Sequence, residues 1–271
     1  MLDEAATIGY ENADYANFGT ANIHNKLLAA LWRESPLTKA QPHQQLMTMA
    51  ALLHVDSLGN SLLTHLIAES CVSVAAWINA YLHCYLRPLL HCFYQYELVF
   101  MPHGENVILV LEGQVPVKIL MKDITEEVIL FDADRPLPEK VQRLYTETTD
   151  AMKVLALFTD VFDCFFRFMA PLLDTHLAFA ESKFWQCVAN CIHGYQESHP
   201  ELAEKFERFD LFVPEFDRCC LNRLQLKNTK QMLNLSDPIE SLILEGSLEN
   251  PLYAFRKKKE NSVEKTITEV I

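Results

Sequence analysis

The chain has 271 residues, half of them hydrophobic and 22% charged, with 7 Gly against 12 Pro. That is long enough to bury a sizeable core, in one large domain or two small ones. Its 23 Lys and Arg stand against 36 Asp and Glu, a formal charge of −13; this balance argues against nucleic acid or an anionic membrane as a partner, because the basic stripe they need is missing.

In chain order, residues 1–22 are polar and read as an extended lead-in, without the basic start and apolar run of a secretory signal. Residues 25–33 and 44–54 read as short helices, separated by Ser35-Pro36 and Pro42. Asp56-Ser57-Leu58-Gly59-Asn60 is a turn, and a helix follows it. A long helix is expected over about 74–96, with Trp77, Ile78, Tyr81, Leu82, Tyr85, Leu89 and Phe93 at helical spacing and Pro88 kinking or dividing it. Residues 107–111 and 115–121 are β-rich runs joined by Glu112-Gly113-Gln114, the clearest hairpin signal in the chain. Beyond Pro136 and Pro138 the chain turns helical again. The most apolar stretch, 154–173, carries Asp160, Asp163 and Arg167, which mark an amphipathic core helix and not a membrane span. Further helices are expected over 178–195, 200–208 and 214–224, with a charged tail over 256–271. The fold class is α+β, mostly α-helical with a central β-hairpin.

Eight cysteines lie mostly in apolar helical surroundings with no Cys-x-x-Cys, which suits core packing in a cytoplasmic protein. Two metal arrangements compete with packing: His83-Cys84 with His91-Cys92, and Cys187 and Cys191 with His193. Neither has the compact spacing of a zinc site.

Chemistry concentrates at the ends of the hairpin. His103, Glu105 and Asn106 precede its first strand, Lys122 and Asp123 follow its second, and a hairpin brings its ends together. Glu105, Asn106 and Asp123 are hard oxygen ligands of the kind magnesium takes while bridging substrate phosphates. His103 and Lys122 beside them can stabilise phosphate charge. Taken singly, His103 reads as a hydrogen-bonded structural histidine and Lys122 as a solvated strand end. The convergence of five polar residues at one mouth is what points to a nucleotide–metal site. Arg223, Lys227 and Lys230 can recognise a carboxylate or phosphate, or simply complement a helix end. Asp160, Asp163 and Arg167 can hold a cationic amine, or form an i,i+4 pair at a wet surface.

The same residues carry a family resemblance. His103-Gly-Glu-Asn-Val-Ile-Leu-Val-Leu-Glu112, followed by Lys122-Asp-Ile124, resembles the nucleotide motif of the NRPS-independent siderophore synthetases, the IucA/IucC-like family. Leu31-Trp-Arg-Glu-Ser-Pro36, Met49-Ala-Ala-Leu-Leu-His-Val-Asp56 and the block from Phe158 to Arg167 agree. So do Tyr195-Gln-Glu-Ser198, Cys220-Leu-Asn-Arg-Leu-Gln-Leu-Lys227, Ser236-Asp-Pro238 and Asn250-Pro-Leu252. The resemblance implies that residues 25–255 form the palm-like C-terminal half of a synthetase, with a lead-in over 1–24 and a polar tail over 256–271. It places His103, Glu105, Asn106 and Asp123 at ATP and magnesium positions; the chemistry of the residues themselves makes His103 and Lys122 the expected catalytic pair and Arg223 and Lys227 the expected substrate contacts.

Glu105, where many relatives have Gln, is similar to the subgroup that assembles hydroxamate macrocycles such as desferrioxamine, alcaligin, putrebactin and bisucaberin. The implied reaction adenylates the succinyl carboxylate of an N-hydroxy-N-succinyl diamine and joins it to the amine of a second unit. Met101 departs from the family, which often has Glu there. Residues 1–100 also lack the β-rich lobe that grips the ATP phosphates elsewhere in the family. The chain is therefore expected to be a fragment, a split-gene product or a remnant, needing the N-terminal half as partner and showing little ligase activity by itself. A homodimer is among its expected assemblies. The related ferric-siderophore reductases hold an iron–sulfur cluster through a Cys-Cys pair and a later Cys-x-x-Cys; Cys219-Cys220 matches the first half only, so no cluster is expected. A kinase-like lobe and a non-catalytic scaffold are the competing classes. Against the kinase, Glu105 and Asn106 are adjacent and Asp123 is followed by Ile-Thr.

Overall fold

The hairpin at residues 107–121 is the centre of the structure, a computed structural model that describes residues 6–8, 30–122, 128–219 and 244–257. Strands β5 (Val107–Glu112) and β6 (Val115–Met121) pair antiparallel from Val107↔Met121 to Glu112↔Val115. Gly113 and Gln114 turn the chain with φ of 55° and 65°, the left-handed pair whose twist matches that of the strands. A shift in register between Val110 and Leu111 sets Pro116 opposite Leu111, and such an irregularity is where a strand tolerates a residue without an amide proton. Strand β3 (Gln45–Thr48) lies along the other edge of β5, completing a three-stranded sheet. Val107, Leu109 and Leu111 turn one face of that sheet into the main core, and Val110 and Leu120 form a smaller cluster on the other.

Helices build the core on the inner face, the Val74–Cys84 helix packing directly against β6. They are α1 (Leu62–Glu69), α2 (Val74–Cys84), α3 (Leu86–Tyr96), α4 (Asp150–Leu157), α5 (Arg167–Leu177), α6 (Glu181–Ser198) and α7 (Ala203–Arg208). Ser61, Ser73 and Thr149 cap α1, α2 and α4, each side-chain oxygen accepting an otherwise orphaned amide. The helix expected over 74–96 is divided at Tyr85. Pro88 occupies the first turn of α3, where a missing N–H leaves no bond unmade. Phe158–Phe166, between α4 and α5, is a π-helix. Pro171 follows it inside α5 and withholds the amide that would reach back to the Arg167 carbonyl. Phe158, Phe162, Phe165 and Phe166 nevertheless all face the core, each burial contributing about 1.5–3 kcal/mol.

Three short antiparallel sheets complete the described strands: β1 (Ala6–Ile8) with β2 (Ala30–Trp32), β4 (Leu98–Phe100) with β7 (Val128–Leu130), and β8 (Glu215–Cys219) with β9 (Leu244–Glu249). They correct three helical expectations. Residues 30–32 are strand, not the end of a helix. Residues 45–48 are strand, and only Met49–Leu53 is helical, as a 3-10 turn. Residues 215–219 are strand, while 220–224 lie outside the described residues. Pro214-Glu215 imitates a helix start; the partner that makes it a strand is distant in sequence and mostly polar.

One buried ionic cluster ties helix ends together. Glu97 closes α3 with a φ of 49°, and its carboxylate lies 2.9 Å from Lys153 Nζ and 3.2 Å from Lys205 Nζ. Lys153 also donates to the Phe131 carbonyl at 3.3 Å. Among the described residues no single helix is long and apolar enough to cross a membrane.

Candidate functional site

The loop from Met101 to Asn106 leads from β4 into β5, and its shape follows from three contacts. The Asn106 amide donates to the His103 carbonyl at 3.0 Å, closing a turn around Gly104 and Glu105. The Gly104 carbonyl accepts from Ala50 N at 2.8 Å, which lays the turn against the 3-10 helix of Met49–Leu53. A Cβ on Gly104 would stand 2.8 Å from Ala50 Cα and 3.0 Å from its nitrogen. Glycine is required there by this close approach of two backbones. Two of the sequence blocks, one around Met49 and one around His103, are thus two sides of one contact.

Asn106 is 5% exposed. Its Nδ2 lies 3.2 Å from the Met101 carbonyl and 3.2 Å from His103 Nε2. A carbonyl can only accept, so the amide turns its NH2 end that way, and its second hydrogen faces the imidazole. In that arrangement His103 Nε2 accepts and the ring proton sits on Nδ1. Across the hairpin mouth, Lys122 N donates to the Asn106 carbonyl at 3.0 Å. His103 and Lys122 are half-buried and Glu105 is exposed. The backbone thus brings the His103–Asn106 turn and Lys122 to one mouth, with the Glu105 side chain exposed. Asp123, also expected there, lies outside the described residues, as do Arg223, Lys227 and Lys230. Among the described residues no group of three or more His, Cys, Asp and Glu side chains could hold a metal ion.

Other singled-out residues have structural surroundings. Asp163 Oδ1 sits 2.6 Å from an Arg167 guanidinium nitrogen but off the hydrogen-bonding direction. The expected i,i+4 pair is thus formed, yet the Asp163 side chain is only 11% exposed, against 52% for Arg167, so its surface is only half wet. His193 is stacked on Phe212 at 4.4 Å and bonded to the Phe255 carbonyl at 2.9 Å. Burial pushes the Cys84 thiol up to about 12 and the Cys191 thiol to about 11, as packed thiols behave. Asn250, in the Asn250-Pro-Leu252 block, donates through Nδ2 to the Leu211 and Val213 carbonyls and accepts from Leu252 N. Ser198, closing another block, accepts from Arg87 of α3 at 2.8 Å.

A cleft of about 580 Å³ opens elsewhere, floored by Val154, Leu155, Phe158 and Phe216 and rimmed by Asp150, Glu207, Asp210, Glu215 and Asp217. Asp150 is paired with Arg208 and Asp210 with Arg256, and Glu215 accepts from the Ser247 hydroxyl at 2.8 Å. Sequence reading missed this cleft, since one wall of it, Glu215, Phe216, Asp217 and Ser247, is built by the β8–β9 pair. It also treated Tyr81 and Tyr85 as core alone. The available signal was three polar-tipped aromatics, Trp77, Tyr81 and Tyr85, on one helical stripe.

A model of the family described as Ferric iron reductase FhuF-like transporter matches residues 75–234, more than half of the chain, and a model of the IucA / IucC family matches residues 1–54. Putrebactin synthase of Shewanella sp. (strain MR-4) is 50% identical over 258 residues, which are 95% of this chain and 41% of that protein. The aerobactin synthetase IucC from a hypervirulent pathotype of Klebsiella pneumoniae has the same fold, with a TM-score of 0.72 at 27% identity over 84% of this chain and 40% of its own. The ATP-bound aerobactin synthetase IucA from the same source shares the fold with a TM-score of 0.60 at 17% identity, over 83% of this chain and 39% of its own. The chain spans about two fifths of the length of these relatives. The match over residues 75–234 places the chain in the family described as Ferric iron reductase FhuF-like transporter, and by this identity and this fold it is homologous to the IucA/IucC siderophore synthetases.

Proposed function

We propose that residues 25–255 are the C-terminal domain of an ATP-dependent carboxylate–amine ligase of siderophore biosynthesis, with 1–24 as lead-in and 256–271 as polar tail. The single observation that carries this reading is the His103-Gly-Glu-Asn106 turn, held against Ala50 and across from Lys122, in a chain 50% identical to a putrebactin synthase. The donor is the succinyl carboxylate of an N-hydroxy-N-succinyl diamine. Its oxygen attacks the α-phosphorus of ATP and pyrophosphate leaves. The neutral amine of a second unit then attacks the acyl carbon, AMP leaves with the bonding pair, and the nitrogen gives up one proton to water. Lys122 and His103 face the phosphates, with Asn106 fixing the imidazole by the bond to Nε2. Arg223 and Lys227 take the substrate. Glu105, Asn106 and Asp123 supply oxygen donors of the class magnesium prefers, and the ion would neutralise phosphate charge. The N-terminal half of the synthetase is the required partner, the location is the cytoplasm, and a homodimer is one assembly open to it.

The test is reconstitution. The chain, joined to or co-expressed with the N-terminal half of a putrebactin synthase, is supplied with ATP, magnesium and N-hydroxy-N-succinyl-putrescine or -cadaverine. AMP, pyrophosphate and an amide-linked hydroxamate are expected, and Asp123→Asn should weaken turnover at least tenfold or so by removing a ligand charge. ADP as the nucleotide product would replace this reading with a kinase. His103→Ala should depress adenylation more than it lowers the melting temperature.

The FhuF-like match favours a second reading, iron reduction. A cluster of that kind draws on thiolates, and no cysteine follows Cys219-Cys220 in the sequence. Anaerobically purified chain should carry no stoichiometric iron or sulfide; a visible charge-transfer spectrum would restore the reductase reading.

A further inference from the structure

Helix α2 and the residue after it present Trp77, Tyr81 and Tyr85 as one buried stripe, spaced by four, with successive rings 6.0 and 5.3 Å apart. Each ring ends in a polar atom, and each polar atom reaches a different part of the hairpin's surroundings. The Trp77 indole donates to the Gln114 carbonyl at the turn, 2.8 Å away. The Tyr81 hydroxyl donates to Met49 Sδ at 3.2 Å, on the 3-10 helix that supports Gly104. The Tyr85 hydroxyl donates to the Pro102 carbonyl at 2.8 Å, immediately before His103. Phe166 of the π-helix packs edge-on against both tyrosines, at 6.2 and 6.0 Å.

We infer that Tyr85 is a positioning residue for the His103–Asn106 pair, its hydroxyl fixing the Pro102 carbonyl and hence the start of the loop that carries the imidazole. The inference rests on the reading of that loop as the nucleotide site. Pro102 contributes no amide proton, so its carbonyl is the backbone handle by which the loop entrance can be held. Tyr85 is fully buried, and the Pro102 peptide is buried with it, so a donor lost here leaves an unsatisfied acceptor in a dry environment. Burial holds the Tyr85 phenol far above its ordinary value, and the nearby Asp160 carboxylate and Cys164 push the same way. The hydroxyl therefore remains a donor at every working pH. Tyr81 bonds Met49, whose neighbour Ala50 donates to the Gly104 carbonyl, so the loop is held at Pro102 and again at Gly104.

The experiment is NMR of the chain itself, without nucleotide, reading the Asn106 side-chain amide and the His103 ring nitrogens. In Tyr85→Phe the Asn106 amide should exchange with solvent about tenfold faster and the His103 Nε2 resonance should move. The Trp77 indole signal should stay in place. Phe166→Leu, which removes packing and keeps the hydroxyl, should lower the melting temperature and leave both site signals where they were. Unchanged Asn106 exchange in Tyr85→Phe, or equal disturbance by Phe166→Leu, overturns the inference. Where Tyr85→Phe does not fold, 3-fluorotyrosine at position 85 keeps ring and hydroxyl and strengthens the donor. It should then shift the Pro102 carbonyl carbon and the His103 signals together, and movement of the carbonyl alone would overturn the inference. None of these readings involves ATP, so they fail separately from the nucleotide reading, which falls if His103→Ala leaves AMP formation by the reconstituted enzyme intact.

Discussion

Gly104 and Glu97 show how single residues are constrained by their neighbours and not by their own propensity. At Gly104 the backbone of Ala50 occupies the space a methyl group would need. Gly104→Ala should lower stability by about 1–3 kcal/mol, the usual range for overpacking, and urea unfolding would measure it. Glu97 presents the opposite case. Its left-handed φ favours glycine, yet the position carries a carboxylate held between two lysines. Glu97→Gln keeps the shape and leaves Lys153 buried without its counter-charge, at a cost of about 3 kcal/mol. An unchanged melting curve for that variant would show that the cluster contributes nothing net.

At the scale of elements, the hairpin turn and the cap of α2 are the separable parts. Gln114 sits at a φ of 65°, a conformation that glycine adopts without steric penalty. Gln114→Gly should therefore stabilise the chain by about 0.5–1 kcal/mol, since the Trp77 bond goes to its backbone carbonyl and survives the change. A loss of stability would mean that the Gln114 side chain matters more than its backbone. Ser73 accepts from Ala76 N at 3.2 Å to start the helix that carries the aromatic stripe. Ser73→Ala should remove about 1 kcal/mol while leaving the His103 and Asn106 resonances in place, because the packed rings, and not the cap, position the stripe.

For the whole molecule, pH is the informative variable. Burial by itself would raise the Glu97 carboxyl, but the hydrogen bonds and charges of Lys153 and Lys205 outweigh it, so it lies below its ordinary value of 4.5. A carboxylate lowered on folding stabilises the native state above its unfolded value, and that contribution is lost as pH falls through the folded one. The stability gap between the unmodified chain and Glu97→Gln should be full at neutral pH and shrink below about pH 4.5. A gap independent of pH would assign the effect to packing. Asp150 and Glu197 are lowered as well, by Arg208 and Lys257 respectively, but these pairs are exposed and screened, so added salt should change the acid limb little.

What the sequence determined by itself was whatever is local in the chain. The hairpin needed only two β-rich runs and a Gly-containing turn, and the division near Pro88 needed only the proline. The approach of the His103–Asn106 turn to Lys122 followed from hairpin geometry alone, with Glu105 and Asp123 expected beside them. The motif wording around these residues also carried the family. Tertiary structure decided the remainder, because its causes lie far apart in the chain. Gln45–Thr48 is a strand because β5 offers it an open edge, and Glu215–Cys219 is a strand because Leu244–Glu249 lies beside it. The close approach of Gly104 to Ala50 joins two motifs that look independent when read in order. The hydroxyl of Tyr85 was visible only as one more ring on an apolar stripe until Pro102 was folded against it. A helical period reports which side chains face inward, but the partner each polar atom meets there is set only when the core closes.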